Sequence, residues 1–512
     1  MLDRHITTKQ SHGNRTNSTY HPKVVMSNQK EILAFLGIPY AKAPSNDKRF
    51  APAEELDTLP QELICIEFDS CPYQSRDVEP IRDRNWTPDY SLMSENCLKL
   101  NIWTPTSEAA ASLKPVLFWI YGGGFCKGAA SLPIYDGTHL AAKLDCVVVT
   151  ADYRLGPLGF LCLPEIGIPG NMGISDQKAA LKWVFQNIRF FGGDPEKVLV
   201  FGESAGAVSG SMLLFDRDCE PQFKSLFLQS GCLFCPTLVA TRAEMIARSK
   251  QLISLFGIDL TDPERARAEL NRMEPEKFFT DNMSFARGPC NFTWGPWLDN
   301  SMFDHLARGK QLFFMLTSNE GSCWLLDSLP MLDQNQNLID FQDCMKQVAA
   351  FFPSWPCRPD QQQIGPLLDE YRSAEKSTVE NASEFLSDWL FNYPMFAFSD
   401  YLSRNGIESR GLLYDYRNPN SPYPVWAGVV HGDEVAHIFQ SSPVPATCDA
   451  FLDVFQFMLD SNAKLNWPKF ELDNGIMLRL TDKSKLDSVS FLPKDQRRIT
   501  LWQQTLPPAT IF

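Results

Sequence analysis

The chain has 512 residues, a formal net charge of −14, and 44% hydrophobic residues. It is long enough to bury a large core, and an acidic chain without a Lys/Arg cluster is a poor match for nucleic acid or an anionic membrane surface. No run reaches the roughly 20 apolar residues that a membrane-spanning helix needs. These properties favour a globular protein that binds a small molecule and has no transmembrane segment.

Apolar runs alternate with helix-like stretches along the chain. Residues 176–191 have helical spacing, with one apolar face made by Ala180, Trp183, Val184 and Ile188. Near-continuous apolar strands are typical of a parallel sheet that is covered on both faces. The alternation therefore predicts one α/β domain over residues 1–512, with a large central, mostly parallel sheet flanked by helices on both faces. The predicted strands are 115–121, 146–153, 198–201, 226–230, 311–318 and 411–416.

A Gly-x-Ser-x-Gly motif, Gly202 to Gly206, follows one of these strands and precedes a helix. On such a sharp strand-to-helix turn, the Ser204 hydroxyl projects above the carboxyl edge of the sheet. The backbone N–H of Ala205 then points to the place where an oxyanion would form. The pattern predicts a serine nucleophile, and the alternative is a Gly/Ala/Ser-rich turn that only packs tightly.

A serine nucleophile needs a base, and the base needs an orienting acid. In this kind of fold they follow in the order serine, acid, histidine. His431 lies in the glycine-flanked loop "VVHGDE", whereas His437 has helical spacing and is interpreted as a packed helix residue. Glu320 follows the predicted strand 311–318, and Asp433 and Glu434 are too close to His431 in sequence to be its obvious partner. We predict that Glu320 is the acid, with a solvated loop carboxylate as the alternative.

A glycine-rich segment, "WIYGGGFCKG", follows another predicted strand. Without a Cβ atom, Gly123 and Gly124 let their backbone N–H groups approach a ligand oxygen closely. The segment predicts oxyanion donors, and a flexible connector is the alternative. The pair Cys232 and Cys235 is a lone CxxC without a second pair at zinc-site spacing, so we expect no metal site.

Together these motifs resemble the type-B carboxylesterase/cholinesterase family over nearly the whole chain. The matching segments are "FLGIPYAKAP", "SENCLKLNIW", "YGGGF", "YRLGPLGFL", "GNMGISDQ", "FFGGDP", "GESAG", "NEGS" and "VVHGDE". The resemblance implies an α/β-hydrolase fold, hydrolysis of small-molecule esters, and no metal or organic cofactor. It assigns a triad to Ser204, Glu320 and His431, oxyanion donors to Gly123, Gly124 and Ala205, and structural ion pairs to Arg49–Glu95 and Arg154–Asp176.

The resemblance also suggests substrate-binding residues. Trp86 matches the aromatic residue that holds a quaternary ammonium in cholinesterases, and Glu203 stands beside the nucleophile. Phe292 lies in the acyl-pocket stretch, and Trp324 follows the predicted acid. Other positions that are often aromatic in cholinesterases are smaller here, namely Cys126, Thr237, Cys290 and Cys323. We expect a general carboxylesterase, with a cholinesterase as the alternative and a neuroligin-like binding protein with little turnover as a further one.

The resemblance pairs Cys71 with Cys97 in a disulfide that closes the loop carrying Trp86. The resemblance also favours a secreted protein that is a monomer or a homodimer. Sequons for N-glycosylation likewise favour secretion. The N-terminus has no apolar signal segment, so a cytoplasmic location stays open. The sequons begin at Asn14, Asn17, Asn85, Asn282, Asn291 and Asn381.

Overall fold

The fold is described from a computed structural model of the chain. The described residues are 6–9, 17–58, 61–76, 86–106, 112–279, 294–329, 340–350, 361–440, 448–460, 463–481, 486–491 and 496–505.

The strands in these ranges are β1 (Ile6–Lys9), β2 (Asn17–Ser27), β3 (Lys30–Pro39), β4 (Glu62–Cys65), β5 (Lys99–Pro105), β6 (Lys114–Ile120), β7 (Val147–Ala151), β8 (Cys162–Leu163), β9 (Ile168–Pro169), β10 (Gly193–Glu203), β11 (Ser225–Gln229), β12 (Ala240–Thr241), β13 (Trp297–Leu298), β14 (Gln311–Thr317), β15 (Ser409–Tyr414), β16 (Ile476–Leu480) and β17 (Leu486–Ser490).

The α-helices are α1 (Thr138–Leu144), α2 (Gly156–Phe160), α3 (Met172–Asn187), α4 (Ala205–Leu213), α5 (Arg242–Leu255), α6 (Pro263–Arg272), α7 (Ser322–Ser328), α8 (Phe341–Ala350), α9 (Gln361–Asp369), α10 (Thr378–Ser387), α11 (Tyr393–Arg404), α12 (Val435–Phe439), α13 (Cys448–Leu459) and α14 (Gln496–Thr505).

One large mixed sheet organises the described residues. Its strand order is β1-β2-β3-β5-β7-β6-β10-β11-β14-β15-β16-β17, and β4 pairs with β2. Neighbouring strands from β7 to β16 in this order run parallel. On the other side of β7 the pairs β2–β3, β3–β5 and β5–β7 are antiparallel. The six predicted strands all lie in the parallel part. The predicted fold, an α/β-hydrolase with a mostly parallel sheet, is therefore confirmed.

The parallel strands are buried on both faces because their sequences are apolar at successive positions. Every residue of β7 is buried, and so are the last six residues of β10. Helix α3 begins at Met172, earlier than the predicted 176, and buries Ala180, Trp183 and Val184 as expected. Parallel strands end at the same edge, so the segments that follow β6, β10, β11 and β14 meet there.

Two arginine–carboxylate pairs hold the long loops against this core. Arg154 donates to Asp176 from Nε at 2.7 Å and from Nη2 at 2.6 Å, and both side chains are buried. Arg154 also donates from Nη1 to the carbonyls of Arg49 and Ala51. Arg49 in turn forms two hydrogen bonds with Glu95, at 2.5 and 2.8 Å. Each guanidinium pairs with a carboxylate and also donates hydrogen bonds to backbone carbonyl oxygens. Burial of these ions is therefore tolerated.

The structure does not contain the disulfide expected between Cys71 and Cys97. Both residues are buried and carry free thiols. The Cys71 Sγ donates to the carbonyl oxygen of Asp89 at 3.5 Å, and burial raises the pKa of its thiol to about 12. Each cysteine is accommodated here as a buried thiol. The bridge, expected for an oxidising compartment, is absent from this structure and stays a prediction for that compartment.

Two other features bear on the protein's surroundings. In the parts of the chain that the structure describes, no helix is long and apolar enough to cross a membrane. The sequon residue Asn381 is 5% exposed, and its amide donates to the carbonyls of Ser373 and Lys376. A glycan at Asn381 would break these bonds, so that sequon is unsuitable in the folded state.

Candidate active site

Ser204 sits on a strained turn between β10 and α4. Its backbone has φ 53° and ψ −119°, a region that residues with a Cβ atom rarely adopt. The turn is held because the N–H of Ser204 donates to the carbonyl of Gln229 on β11 at 2.8 Å, and its own carbonyl accepts from Val208 in α4. The nucleophile predicted from the sequence thus lies at the carboxyl edge of the parallel strands.

The two glycines of the motif are required by close backbone contacts. A Cβ atom on Gly206 would overlap the carbonyl oxygen of Ile120 in β6. A Cβ atom on Gly202 would lie 2.7 Å from the same oxygen, a distance that real Cβ atoms do not reach. Helix α4 can therefore start against β6 only because both positions lack side chains.

The glycine-rich segment after β6 passes directly beside the nucleophile. A Cβ atom on Gly122 would be 3.1 Å from Cβ of Ser204. Gly123 and Gly124 have φ values of 107° and 62°, and the Gly123 carbonyl accepts from Cys126 and Lys127 at 3.1 Å each. Within the described residues, the N–H groups of Gly123, Gly124 and Ala205 donate no hydrogen bond. The fold therefore leaves these three donors unused, and Gly122 brings the glycine-rich segment next to Ser204.

The acid and the base predicted from the sequence are hydrogen-bonded to each other. Glu320 is completely buried just after β14, and its Oε2 accepts from Nδ1 of His431 at 2.7 Å. Its Oε1 accepts from Ser230 Oγ at 2.6 Å and from the N–H of Thr317 at 2.7 Å. The carboxylate is therefore fixed from one side by β11 and β14 and directs its second oxygen at the imidazole. His437 lies buried in α12, as predicted, and bonds to Tyr414 at 2.9 Å.

The second imidazole nitrogen of His431 faces Glu203 in this structure. Nε2 lies 3.0 Å from Glu203 Oε1, and within the described residues it makes no well-aligned hydrogen bond, including with Ser204. Burial raises the pKa of Glu203 to about 7, although His431 opposes the shift. Burial acts to lower the pKa of His431, but Glu203 and Glu320 outweigh it, so the pKa lies above 6.5. Glu203, Glu320 and His431 therefore form one closely spaced carboxylate–imidazole group whose protonation steps depend on one another.

Trp86 and Glu203 approach each other across the loop that carries His431. A Cβ atom built on Gly432 would lie 3.5 Å from Glu203 Oε1 and 3.7 Å from Cη2 of Trp86. The Trp86 ring also contacts Tyr135 edge to face at 6.1 Å. A half-buried aromatic ring and a carboxyl group therefore flank the same point of the site.

Of the other two predicted binding residues, one lies within the described residues and one does not. Trp324, in α7, has its ring centroid 5.4 Å from that of His431. Phe292 lies outside the described residues. Trp324 is therefore placed beside the base, and the prediction for Phe292 stays a prediction.

Three residues at the site were given no role from the sequence. Ser230, with φ 50°, holds Glu320, and its place at the end of a predicted strand is a signal that could have found it. Phe391 stacks on His431 at 4.4 Å, but nothing in its local sequence points there. Glu434 is completely buried, and neither side-chain oxygen has a hydrogen-bond partner among the described residues. Burial raises the pKa of Glu434 well above its ordinary value, and the nearby carboxylate of Glu203 adds to the shift.

The arrangement matches what acyl transfer requires: a serine on a strained elbow, neighbouring N–H donors, and a buried carboxylate–imidazole pair. In the described residues, no group of three or more His, Cys, Asp or Glu side chains could hold a metal ion. The model of the carboxylesterase family matches residues 22–458. The chain belongs to the carboxylesterase family.

Relatives within the carboxylesterase family include cholinesterases. The chain is 33% identical to an acetylcholinesterase of Bungarus fasciatus over 429 residues, which cover 80% of this chain and 70% of that protein. It is 31% identical to an acetylcholinesterase of Danio rerio, over 81% of this chain and 73% of that protein. It is 30% identical to a cholinesterase of Mus musculus, over 80% of this chain and 70% of that protein. Membership of the carboxylesterase family supports ester hydrolysis and leaves the preferred ester open.

Proposed function

We propose that the protein is a general carboxylesterase that cleaves esters through an acyl-enzyme on Ser204. The observation that carries the proposal is the 2.7 Å bond between Glu320 and His431, next to a serine with φ 53°. A buried acid that orients an imidazole beside a strained serine has little structural use, because burying the charged pair costs free energy. Membership of the carboxylesterase family supports the same reaction class.

In the first half-reaction, Ser204 Oγ attacks the ester carbonyl carbon while Nε2 of His431 takes its proton. Glu320 keeps the other proton on Nδ1 and stabilises the imidazolium. The negative oxygen of the tetrahedral intermediate accepts from the N–H groups of Gly123, Gly124 and Ala205. His431 then gives its proton to the alcohol as the carbon–oxygen bond breaks, which leaves the acyl group on Ser204.

In the second half-reaction, water takes the place of the alcohol. His431 removes its proton, water oxygen attacks the acyl carbon, and the carboxylic acid leaves as Ser204 Oγ is reprotonated. The Ser204–His431 hydrogen bond that these steps need is absent from this structure, since Nε2 faces Glu203. A small rotation of the imidazole on substrate binding must supply it, because such bonds often form only in the complex.

Hydrolysis of p-nitrophenyl acetate, with and without an organophosphate, tests this proposal. We expect turnover that stops after organophosphate treatment, with one adduct on Ser204 by mass spectrometry. Ser204→Ala is the matched control and should give neither turnover nor adduct. A folded wild-type protein without turnover would instead favour the neuroligin-like binding protein, and an adduct on another residue would contradict the assignment of the nucleophile.

The substrate class proposed here is neutral, short-chain aryl and alkyl esters. Cys126, half-buried in the glycine-rich segment, and Cys323, buried in α7, have smaller side chains than the aromatic residues expected of a cholinesterase. Thr237, also half-buried, is a further small side chain. A quaternary ammonium is usually held by several rings. These smaller side chains therefore favour a site that accepts bulky acyl groups over one that selects cationic esters.

Choline ester hydrolysis is the second candidate, and one observation favours it. Trp86 and Glu203 flank the same point beside Gly432, so an ammonium there would meet both a ring face and a carboxyl group. Relatives named acetylcholinesterase and cholinesterase support it as well. The general carboxylesterase remains the main proposal because one ring beside one carboxyl group is a weak cation site.

The measurement that separates the two candidates is kcat/KM for acetylthiocholine beside its uncharged isostere. We expect a preference for the cation of at most about 30-fold, because a cation–π contact with one ring contributes only about 0.5–2 kcal/mol. Trp86→Ala should leave the rate with the uncharged ester nearly unchanged, and Trp86→Phe, which keeps a ring, is the control. A large preference for the cation that Trp86→Ala abolishes would establish the cholinesterase instead.

A further inference from the structure

The segment from Thr378 to Arg404 is one helix with a π-helical turn in its middle. Helix α10 ends at Ser387, residues Asp388–Asn392 form the π-turn, and α11 follows directly. The N–H of Tyr393 donates to the carbonyl of Asp388, five residues back. The cause is Pro394, which has no N–H and whose ring would clash with the carbonyl of Leu390 in an unbroken α-helix. Single π-turns of this kind are common at functional sites.

Buried polar contacts hold the π-turn in place. Asp388 accepts from Tyr371 OH at 2.5 Å and from the amide of Asn392 at 2.8 Å. Tyr371 OH also accepts from Nε1 of Trp502 in α14 at 2.8 Å. Since Asn392 and Asp388 are the two ends of the turn, their bond ties it together. The turn is thus a fixed element rather than a frayed junction.

The same helix contacts the residue that follows the predicted acid, and it contacts the predicted base directly. The N–H of Gly321, next to Glu320, donates to Ser387 Oγ at 2.8 Å, and a Cβ atom on Gly321 would overlap the backbone of α10. Four residues later, the Phe391 ring lies on the His431 imidazole, with centroids 4.4 Å apart and planes inclined by 31°. Trp324 covers a further part of the imidazole at 5.4 Å and 56°.

We propose that Phe391, presented by the π-turn, is a positioning residue that fixes the His431 imidazole and stabilises its protonated form. The proposal rests on the assignment of His431 as the base of the ester hydrolysis proposed above. The face of an aromatic ring carries negative charge, so it attracts the imidazolium that forms when Ser204 is deprotonated. A stacked ring also restricts rotation of the imidazole between Glu203 and Ser204.

The groups that can influence the titration of His431 are the carboxyl groups around it. Glu320 bonds to Nδ1 at 2.7 Å, and Glu203 faces Nε2 at 3.0 Å. Asp433 and Glu434 lie on its own loop and helix start, whereas Phe391 and Trp324 present uncharged rings. Removing the Phe391 ring changes none of these charges. A change in the titration of His431 in such a variant is therefore attributable to the lost ring.

Phe391→Leu tests the proposal, with Phe391→Tyr as the variant that keeps the ring. We expect Phe391→Leu to lower kcat for p-nitrophenyl acetate about 3- to 30-fold while KM stays within about twofold. Because the ring favours the protonated imidazole, its loss should lower the pKa of His431, and the acid limb of kcat/KM should move to lower pH by about 0.5–1 unit. Phe391→Tyr should restore most of both.

Phe396→Leu is the matched control, since Phe396 is equally buried in α11 but stacks on Phe470 at 5.3 Å. It should leave the acid limb in place. An unshifted acid limb in Phe391→Leu, or an equal shift in Phe396→Leu, would overturn the proposal.

A direct measurement keeps the test valid if Phe391→Leu does not fold. In wild-type protein, NMR of the histidine Cε1–H groups should show His431 displaced upfield by the stacked ring, and a normal shift would overturn the proposal. This resonance and its pKa do not depend on turnover. A stacked His431 in a protein without turnover would therefore refute the proposed function while leaving the contact with Phe391 intact.

Discussion

The two halves of the candidate site are built in different ways. The elbow at Ser204 and the segment Gly122–Gly124 are fixed by backbone: Gly202 and Gly206 touch β6, and Gly122 touches Ser204. His431 lies in a loop and is fixed by side chains from elsewhere: Glu320 on one nitrogen, with Phe391 and Trp324 against the ring. We call these parts the nucleophile half and the imidazole half.

The difference shows which half tolerates change. In the nucleophile half an added methyl group meets backbone, which cannot move without moving β6 or α4. In the imidazole half each support is one side chain, so its loss leaves the backbone in place and changes orientation and charge instead. Substitutions in the first half should therefore affect folding and catalysis together, and those in the second mainly catalysis and its pH dependence.

The largest expected effects remove one residue from each half. Ser204→Ala should lower kcat by about 10⁴-fold or more. Glu320→Gln should cost about 10³–10⁴-fold, because Ser230 and Thr317 keep the amide oxygen and turn its NH₂ toward Nδ1, which selects the wrong imidazole tautomer. Rates with p-nitrophenyl acetate and circular dichroism of each variant check both.

A double variant tests whether the two halves work together. If both halves act as one catalytic unit, Ser204→Ala with Glu320→Gln should be no slower than Ser204→Ala alone. Losses that multiply would mean that Glu320 serves some purpose other than orienting His431 toward Ser204.

A smaller effect is expected from one added methyl group in the nucleophile half. Gly123→Ala should lower kcat about 10²–10³-fold, since its Cβ would overlap the Lys127 carbonyl and displace an N–H donor. Gly167→Ala is the matched control, because Gly167 also has positive φ, at 74°, but nothing lies within 4 Å of the added atom. Normal kcat in a folded Gly123→Ala would show that the segment is only a connector.

The smallest effect is a shift in pH dependence within the imidazole half. The acid limb of kcat/KM reports His431, which must be neutral to act as a base, and it should lie above pH 6.5. Glu203→Gln removes a carboxylate that stabilises the imidazolium, so the pKa of His431 should fall and the acid limb should move to lower pH. Movement to higher pH, or none, would contradict the electrostatic role given to Glu203.

The parallel sheet could be predicted because its strands are unbroken apolar runs, as in β7 and β14. The antiparallel strand β2 was not predicted because most of its residues are half-buried or exposed, so it has no continuous apolar run. Strand β3 was not predicted either, although it contains the apolar run 32–36. The nucleophile half could also be predicted from the sequence. Its glycines lie in two short motifs, where close contacts with neighbouring atoms or positive φ values require them.

The imidazole half could be predicted only in its two polar members, Glu320 and His431, from chain order and loop position. Phe391 could not, because its contact depends on how a helix with a π-turn crosses the site, and a buried phenylalanine in a helix is ordinarily core. The disulfide between Cys71 and Cys97 rested on the family resemblance alone, and the structure has free thiols at both positions.

The chain order of the sheet has a consequence for biosynthesis. Strands β14 and β15 are hydrogen-bonded neighbours, yet the chain between them, from Ser318 to Glu408, includes α7 to α11. During translation, Ser204 and its elbow emerge long before Phe391 and His431. Contacts so distant in sequence form late and slowly. We therefore expect the nascent protein to remain inactive until the ribosome has passed His431, so that no partly made chain can hydrolyse an ester.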